Sequence, residues 1–320
     1  MLYRFLKILS RLALPIWCRH LIINRPGFLQ EKGPLLLASN HPNSFLDSVL
    51  LNTIFEQPVW SLARGDAFKN TTYSRWLKAM KILPVYRTSE GVENLSENYK
   101  TFDDCIALFK KNGVITIYSE GKCINEWHLR PLKKGTARLA IKAWDENIPL
   151  KVLPVGINYS SFTRFGKTIK LNFGEPILAT DIIAEAADGQ RNIAFNNRLK
   201  NELEKLVYEI PKTDHEGIKK TFGTKTHWLK KLILSIPAIT GWLFHLPLFM
   251  PVKTFTKAKT KNTDHYDSVL ISILLLTYPL YLLLVTTIII AITGCWWFTG
   301  LLLLLPITAW ACVQWKEQKI

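Results

Sequence analysis

Residues 34–47 have the sequence PLLLASNHPNSFLD, and the rest of the chain is organised around them. The apolar run at the beginning predicts a buried strand, which leads into a loop that carries His41. Asp47 follows a few residues later. A neutral imidazole can take a proton from a hydroxyl group when a carboxylate holds its other ring nitrogen. The stretch suggests that His41 is a general base oriented by Asp47, although a loop histidine followed by a helix-capping aspartate has the same pattern.

The composition indicates an anionic partner. The 320 residues include 41 Lys and Arg against 25 Asp and Glu, which gives a formal net charge of +16. Such an excess is typical of proteins that meet nucleic acid, an anionic membrane surface or a phosphorylated substrate. The cations lie beside long apolar runs, and the chain has 11 Trp. This combination favours anionic membrane lipids and argues against nucleic acid.

The five cysteines give no sign of a metal centre or a disulfide scaffold. They are Cys18, Cys105, Cys123, Cys295 and Cys312, and no two form a C-x-x-C pair. This spacing argues against a zinc site and against paired disulfides. We therefore expect no metal. The length allows one good-sized domain with additional segments.

Residues 1–22 predict an amphipathic, membrane-associating helix. At about 100° per residue, one face is apolar and the other is basic. The apolar face holds Leu2, Phe5, Leu6, Leu9, Leu12, Ala13 and Ile16, and the basic face holds Arg4, Lys7 and Arg11. Pro15 is expected near the end of the helix. A helix of this kind can lie in a membrane interface, but a surface helix packed on its own domain has the same periodicity.

Residues 23–213 alternate between predicted strands and helices. The strands cover residues 35–38, 59–63, 81–86, 114–118, 150–159 and 167–173. The helices cover residues 44–55, 73–80, 99–111, 135–144 and 197–210. This alternation predicts an α/β domain, with a mostly parallel sheet that has helices on both faces.

Three reactive side chains follow predicted strands. His41, Arg87 and Glu120 each come directly after one. In parallel sheets, functional groups collect beyond the carboxyl ends of the strands. The sequence therefore predicts one site at that edge of the sheet.

Residues 214–320 predict a membrane-associated region. Residues 229–250 are apolar but are interrupted by Pro237, Gly241 and Pro247. We expect this segment to be interfacial or re-entrant, and residues 252–267 to form a basic loop.

The following stretch, residues 268–313, is almost free of charge. Its length is about twice the ~20 residues that one crossing needs. It predicts a transmembrane hairpin with helices at about 268–291 and 296–313. Lysines flank the hairpin on both sides, which predicts that both of its ends, and the catalytic domain, face the cytoplasm.

The motif around His41 resembles the first block of the glycerolipid acyltransferases, the family of glycerol-3-phosphate and lysophosphatidic acid acyltransferases. That block is usually N-H-x-x-x-x-D. Here Asn40 and His41 are followed by five residues before Asp47. The longer spacing looks like that of the branch containing the fungal glycerol-3-phosphate/dihydroxyacetone-phosphate acyltransferases. The loop has to absorb the extra residue.

Three later blocks are similar to those of the family and occur in its order. Residues 83–87 resemble the strand that ends in an arginine, here Arg87. Residues 118–121, with the sequence YSEG, resemble the F-P-E-G block with serine in place of proline. Residues 152–156 resemble the fourth block, whose proline is Pro154.

The resemblance implies a membrane-bound O-acyltransferase of phospholipid biosynthesis. It would move a fatty acyl group from acyl-ACP or acyl-CoA, acting as co-substrate, to the hydroxyl of glycerol 3-phosphate or 1-acylglycerol 3-phosphate. No further cofactor is implied. The His–Asp spacing favours the first acceptor, whereas the single compact domain favours the second.

The resemblance also implies roles for the site residues. Arg87 would bind the acceptor phosphate, because a guanidinium binds phosphate through two hydrogen bonds and stays charged. Glu120 would help to bind the acceptor indirectly, through a glycerol hydroxyl or by positioning Arg87. Backbone amides near Ser119 and Gly121 would hold a phosphate or an oxyanion. Ser119 as a nucleophile would need glycine at position 117, where the chain has Ile117.

Two alternatives remain at this point. One is an acyltransferase for another lysophospholipid or for an amino-acid lipid. The other is a non-catalytic, basic membrane adaptor, for which His41→Ala would leave function intact.

Overall fold

The computed structural model describes residues 1–86, 97–182, 187–224 and 226–316. The chain divides into two compact units. The first unit comprises Met1–Ile8, Ile23–Asn158 and Lys170–Pro211, and the second comprises Leu9–Ile22, Tyr159–Ile169 and Lys212–Ile320. The boundary expected at residue 213 lies near Pro211, but residues 9–22 and 159–169 belong to the second unit.

The elements alternate along the chain as the sequence pattern suggests. The strands are β1 (Cys18–Ile23), β2 (Leu35–Ser39), β3 (Val59–Arg64), β4 (Ile82–Val85), β5 (Val114–Tyr118), β6 (Lys151–Tyr159) and β7 (Lys167–Phe173). The helices are α1 (Leu2–Trp17), α2 (Phe45–Ile54), α3 (Thr71–Ala79), α4 (Glu97–Phe109), α5 (Gly135–Asp145), α6 (Asp188–Leu206), α7 (His215–Phe222), α8 (Trp228–Lys259), α9 (Tyr266–Thr293) and α10 (Leu301–Trp315).

The strands form one sheet in the order β1-β7-β6-β2-β5-β3-β4. β2 runs parallel to its neighbours β5 and β6, and β3 runs parallel to β5 and β4. The predicted α/β fold with a mostly parallel sheet is therefore confirmed. Parallel pairing brings the carboxyl ends of β2, β3 and β5 to the same edge of the sheet.

The apolar run of β2 is buried on both faces of the sheet. Leu36 and Ala38 belong to a core cluster that includes side chains from α4, α5 and α6. Leu35 and Leu37 point to the opposite face, because side chains alternate along a strand, and they are equally buried. A strand with no exposed side chain explains why this run shows no polar alternation.

The N-terminal helix is shorter than predicted. α1 ends at Trp17 and continues past Pro15, and the following residues form β1 in place of the expected helix to residue 22. The end of α1 is determined by the pairing of β1 within the sheet, and helical periodicity in the sequence does not predict such pairing. Phe5, Ile8 and Leu12 are exposed on α1.

The second unit contains the largest correction to the sequence prediction. Residues 229–250, predicted to be interfacial or re-entrant, and the first half of the predicted basic loop 252–267 form one continuous helix, α8. α8 tolerates its internal prolines because neighbouring helices can compensate for the lost backbone hydrogen bonds. A Cβ atom on Gly241 would lie 2.3 Å from the carbonyl oxygen of Thr308, so this glycine allows α8 and α10 to approach closely.

Three helical segments of the described chain are long and apolar enough to cross a bilayer. They are α8, α9 and residues Trp296–Trp315, which include α10. The predicted transmembrane hairpin thus corresponds to the last two, with α8 as a third candidate span.

A buried ion pair also lies in the second unit. Lys167 in β7 contacts Asp267 in the first turn of α9, and both side chains are fully buried. Charges removed from water need a close partner, so this pair couples the start of α9 to β7.

Candidate active site

The loop that carries His41 is anchored to a neighbouring strand by Asn40. The Asn40 side-chain amide donates to the carbonyl oxygen of Ile157 at 3.0 Å, and its oxygen accepts the Ile157 N–H at 2.8 Å. Both bonds are buried. The side chain therefore replaces the backbone pairing that ends with β2 and fixes the direction in which the chain leaves the sheet.

His41 and Asp47 are in direct contact. Nδ1 of His41 lies 2.8 Å from Oδ2 of Asp47, which is fully buried in the first turn of α2. The same oxygen accepts the N–H of Asn43 at 3.0 Å. An ionised carboxylate can only accept, so for a neutral imidazole this contact favours the tautomer that carries its proton on Nδ1.

The extra residue between His41 and Asp47 is absorbed at the start of α2. Ser44, directly before the helix, has a φ of 52°, in the region that L-residues rarely adopt. This turn allows α2 to begin at Phe45 and places Asp47 within reach of the imidazole. Five intervening residues are therefore compatible with the His–Asp contact.

Tyr118, the last residue of β5, packs on the imidazole. The rings of His41 and Tyr118 are stacked, with centroids 3.8 Å apart and planes 12° apart. The Tyr118 hydroxyl is 2.7 Å from the hydroxyl of Ser48. Burial, followed by the negative charge of Asp47, raises the pKa of Tyr118 well above its ordinary value, so the phenol stays neutral. Sequence reasoning gave Tyr118 no role, although it occupies the aromatic position of the third block.

Glu120 holds the backbone of the His41 loop. Its Oε2 accepts the N–H of His41 at 2.8 Å, and its Oε1 accepts the N–H of Arg130 at 2.9 Å. The residue is only 4% exposed. Burial raises the pKa of Glu120, although the N–H groups of Arg130 and His41 oppose that shift. Both carboxylate oxygens are thus engaged by the loops that flank the strand ends.

The backbone N–H groups of Ser119 and Gly121 form hydrogen bonds within the protein. The N–H of Ser119 donates to the carbonyl oxygen of Ser39 at 2.9 Å, and the N–H of Gly121 donates to that of Tyr118 at 3.0 Å. The Ser119 hydroxyl accepts from Thr136 at 3.0 Å. Gly121 has a φ of 69°, in the left-handed region that glycine adopts without a steric cost. The phosphate or oxyanion contact expected from backbone amides near Ser119 and Gly121 stays a prediction.

Arg87, the predicted phosphate ligand, lies outside the described residues. The strand before it, β4, pairs in parallel with β3, which places the end of β4 at the same edge of the sheet as β2. Arg130 is a cation that sequence reasoning missed, and its guanidinium pairs with Glu126 at 3.0 Å. Its only signal in the sequence is its position shortly after the third block.

No metal centre is evident in the part of the chain that the structure describes. There, no group of three or more His, Cys, Asp or Glu side chains could hold a metal ion. The expectation that the chain needs neither metal nor cofactor remains a prediction.

Comparison with known families identifies this region. The family model described as Acyltransferase matches residues 21–158, which include the His41 loop and β5. Residues 21–158, less than half of the 320-residue chain, are thus similar to an Acyltransferase domain.

Two curated relatives of the acyltransferase domain come from Saccharomyces cerevisiae. Glycerol-3-phosphate O-acyltransferase 2 is 26% identical over 116 residues, and glycerol-3-phosphate O-acyltransferase 1 is 27% identical over 112 residues. The alignments cover 36% and 33% of this chain, but only 14% and 15% of the relatives. The match therefore spans about one seventh of each relative.

A solved structure is also similar to this chain. The crystal structure of the 1-acyl-sn-glycerophosphate acyltransferase PlsC from Thermotoga maritima matches with a TM-score of 0.45 and 13% identity. The match covers 64% of this chain and 79% of that one.

Proposed function

We propose that this acyltransferase moves a fatty acyl group from acyl-CoA or acyl-ACP to the hydroxyl of a phosphorylated glycerol, with His41 as general base. The observation that carries the proposal is the contact between His41 and the buried carboxylate of Asp47 at the end of β2. The imidazole side chain is 14% exposed, so a substrate hydroxyl can reach it.

The reaction needs one proton acceptor and one donor. As the acceptor hydroxyl attacks the thioester carbonyl, its proton passes to Nε2 of His41 while Asp47 holds Nδ1–H. The carbon–sulfur bond then breaks, and the departing sulfur takes the proton from Nε2, which restores the neutral imidazole. A well-placed general base contributes about 10²–10⁴-fold in rate.

Glycerol 3-phosphate is the acceptor that we favour. Both yeast relatives are named glycerol-3-phosphate O-acyltransferases, and the long His–Asp spacing also favours this acceptor. 1-Acylglycerol 3-phosphate is the second candidate. Arg87 is proposed to bind the phosphate of either one, because a guanidinium can form two hydrogen bonds to it.

The deciding experiment is an acyl-transfer assay on purified membranes that contain the wild type, His41→Ala or Asp47→Ala. Each donor, acyl-CoA or acyl-ACP, is offered with each phosphorylated acceptor, with another lysophospholipid and with an unphosphorylated glycerolipid. We expect transfer to a phosphorylated acceptor by the wild type and its loss in His41→Ala, with membrane binding retained. Transfer that survives in both variants would contradict the mechanism, and the absence of transfer from every donor in the wild type would favour the adaptor.

The Arg87 assignment is tested separately. Arg87→Ala should raise the KM for the phosphorylated acceptor, while Arg87→Lys should recover part of the loss because it keeps the charge. The KM for the acyl donor serves as the control. An equal rise in both KM values would remove the phosphate role from Arg87.

We propose that the acyltransferase is held in the membrane by its apolar helices and that α1 adds an interfacial contact through Phe5, Ile8 and Leu12. The catalytic domain is proposed to face the cytoplasm with α9 and α10 as the two spans, because lysines precede α9 and follow α10. If α8 crosses the bilayer, residues 260–265 lie on the opposite side from the residues before Trp228. A membrane-impermeant maleimide applied to intact cells would label Lys261→Cys in that case, with Cys295 replaced by serine.

A further inference from the structure

Helix α3 in the first unit exposes aromatic side chains. None of its residues is buried, and Tyr73 and Trp76 are 66% and 55% exposed. Helices that cross between parallel strands normally bury one apolar stripe against the sheet. α3 is therefore an amphipathic helix whose aromatic side is available to a partner.

The helix is stabilised locally. The Asn70 side chain accepts the N–H groups of Thr72 and Tyr73 at 2.9 and 3.2 Å, which caps the N-terminus. The cap holds the first turn of α3 in place, so the helix presents its aromatic side chains in a fixed orientation although none of its residues is buried.

α3 begins at the edge of the sheet where His41 lies. Ser61 in β3 is level with Thr116 in β5, which is level with Leu37 in β2. Three residues further along each strand, Arg64 and Asn40 lie at the same level of the sheet. The chain reaches α3 only a few residues after Arg64, so the helix starts beside the active-site edge.

The charge of residues 69–81 indicates the chemical class of the partner. Residues 69–81 contain four cations, at Lys69, Arg75, Lys78 and Lys81, and no Asp or Glu. At 100° per residue, Tyr73 and Trp76 share one side of α3 with Leu77, while Arg75 and Lys78 lie on the other. Tyr and Trp at an apolar boundary with Lys and Arg on the polar face are typical of helices that lie in a membrane interface.

We propose that α3 is a docking surface for anionic lipid, formed by Tyr73 and Trp76 with the cations at positions 69, 75 and 78. The proposal rests on the proposed membrane attachment through the apolar helices of the second unit, which are long and apolar enough to cross a bilayer. Contact of α3 with the bilayer brings the lipid surface to the strand ends that carry the His41 loop. This proposal concerns the surface of the domain and stands whichever acceptor the enzyme uses.

The test compares two positions on the same helix in the full-length protein. Trp76→Cys and Lys78→Cys, about 200° apart around α3, are each labelled with a nitroxide. The labelling background replaces the accessible or half-buried cysteines Cys123, Cys295 and Cys312. The protein is reconstituted in nanodiscs of phosphatidylcholine with phosphatidylglycerol or of phosphatidylcholine alone, and collision with oxygen and with a water-soluble nickel chelate is measured.

We expect the label at position 76 to collide with oxygen and to be protected from the nickel chelate in the anionic nanodiscs, with the reverse at position 78. Equal accessibility at both positions would overturn the proposal. The same protection in phosphatidylcholine alone would overturn the assignment to anionic lipid. Protection that appears only when an acidic acyl-carrier protein is added would replace the lipid with a protein partner.

Discussion

The imidazole of His41 lies flat against the ring of Tyr118, 3.8 Å from centroid to centroid. Asp47 holds the edge of the same imidazole at Nδ1, and Glu120 holds the backbone N–H of His41. The ring edge, the ring face and the backbone N–H of His41 are thus held by three different residues, which are Asp47, Tyr118 and Glu120. Because a general base works only within hydrogen-bond reach of its proton, this support would orient the imidazole for the proposed role of His41.

The stacked ring of Tyr118 can be separated from its hydroxyl by mutation. Tyr118→Phe keeps the ring and removes the hydrogen bond to Ser48, so we expect kcat to stay within about threefold of the wild type. Tyr118→Leu removes the flat surface, and kcat should fall by about tenfold or more as the imidazole loses its orientation. Ser48→Ala is the matched control for the lost hydrogen bond. Equal losses in the Phe and Leu variants would show that the hydroxyl, and not the stacking, matters.

Asp47 can be tested apart from His41 with a substitution of the same shape. Asp47→Asn should lower kcat by about 10²-fold, because the amide no longer holds Nδ1–H as a charged acceptor does. If the two residues act together as proposed, the loss in the double variant with His41→Ala should equal that in His41→Ala alone. Acyl-transfer assays on each purified variant measure these losses in kcat. If the loss in the double variant exceeds the loss in His41→Ala by the full effect of Asp47→Asn, the two residues act independently.

Glu120 should give the folded protein a characteristic pH dependence. Burial raises the pKa of Glu120 above its ordinary value of 4.5, so the folded protein binds that proton more tightly than the unfolded chain does. This contribution to stability is fully present below the ordinary pKa and is lost as the pH rises through the raised value. The wild type should therefore gain unfolding temperature relative to Glu120→Gln as the pH falls from 7 to about 5.

Glu120→Gln also changes the loop itself. The amide group of glutamine cannot accept both the His41 and the Arg130 N–H, so one buried donor loses its partner at a cost of about 1–3 kcal/mol. We expect a lower kcat with an unchanged KM for the acceptor. A selective rise in the acceptor KM would instead indicate that Glu120 binds the substrate.

The buried pair of Lys167 and Asp267 predicts strong coupling in the second unit. Lys167→Met leaves a buried carboxylate without its cation and should lower the free energy of unfolding by about 3–5 kcal/mol. Lys167→Met combined with Asp267→Leu should recover most of that loss, because neither of the two positions then carries a buried charge. Chemical unfolding of the four proteins of this cycle in detergent measures the coupling. Additive losses would show that the two side chains stabilise the unit independently.

The sequence was sufficient for the central strands and for the order of the site residues. β2 and β5 are runs of apolar side chains bounded by polar turns, so their burial follows from composition alone. Parallel pairing then places His41 and Glu120 at one edge of the sheet. The sequence also indicated long apolar helices after residue 213, because residues 268–313 are almost free of charge over about twice the length that one crossing needs.

Tertiary structure alone decided features that depend on distant partners. β1 forms because the sheet offers it a neighbour, and α8 continues through its prolines because α10 packs against it at Gly241. The backbone N–H groups of Ser119 and Gly121 form hydrogen bonds within the protein, and the local sequence does not predict these bonds.

The His–Asp pair shows the division between sequence and tertiary structure most clearly. The sequence supplied an imidazole and a carboxylate with one residue more than the usual family spacing between them. The contact exists because Ser44 takes a positive φ and α2 begins at Phe45. Residue types and their order are local information, whereas the meeting of two side chains depends on backbone geometry that the whole domain holds in place.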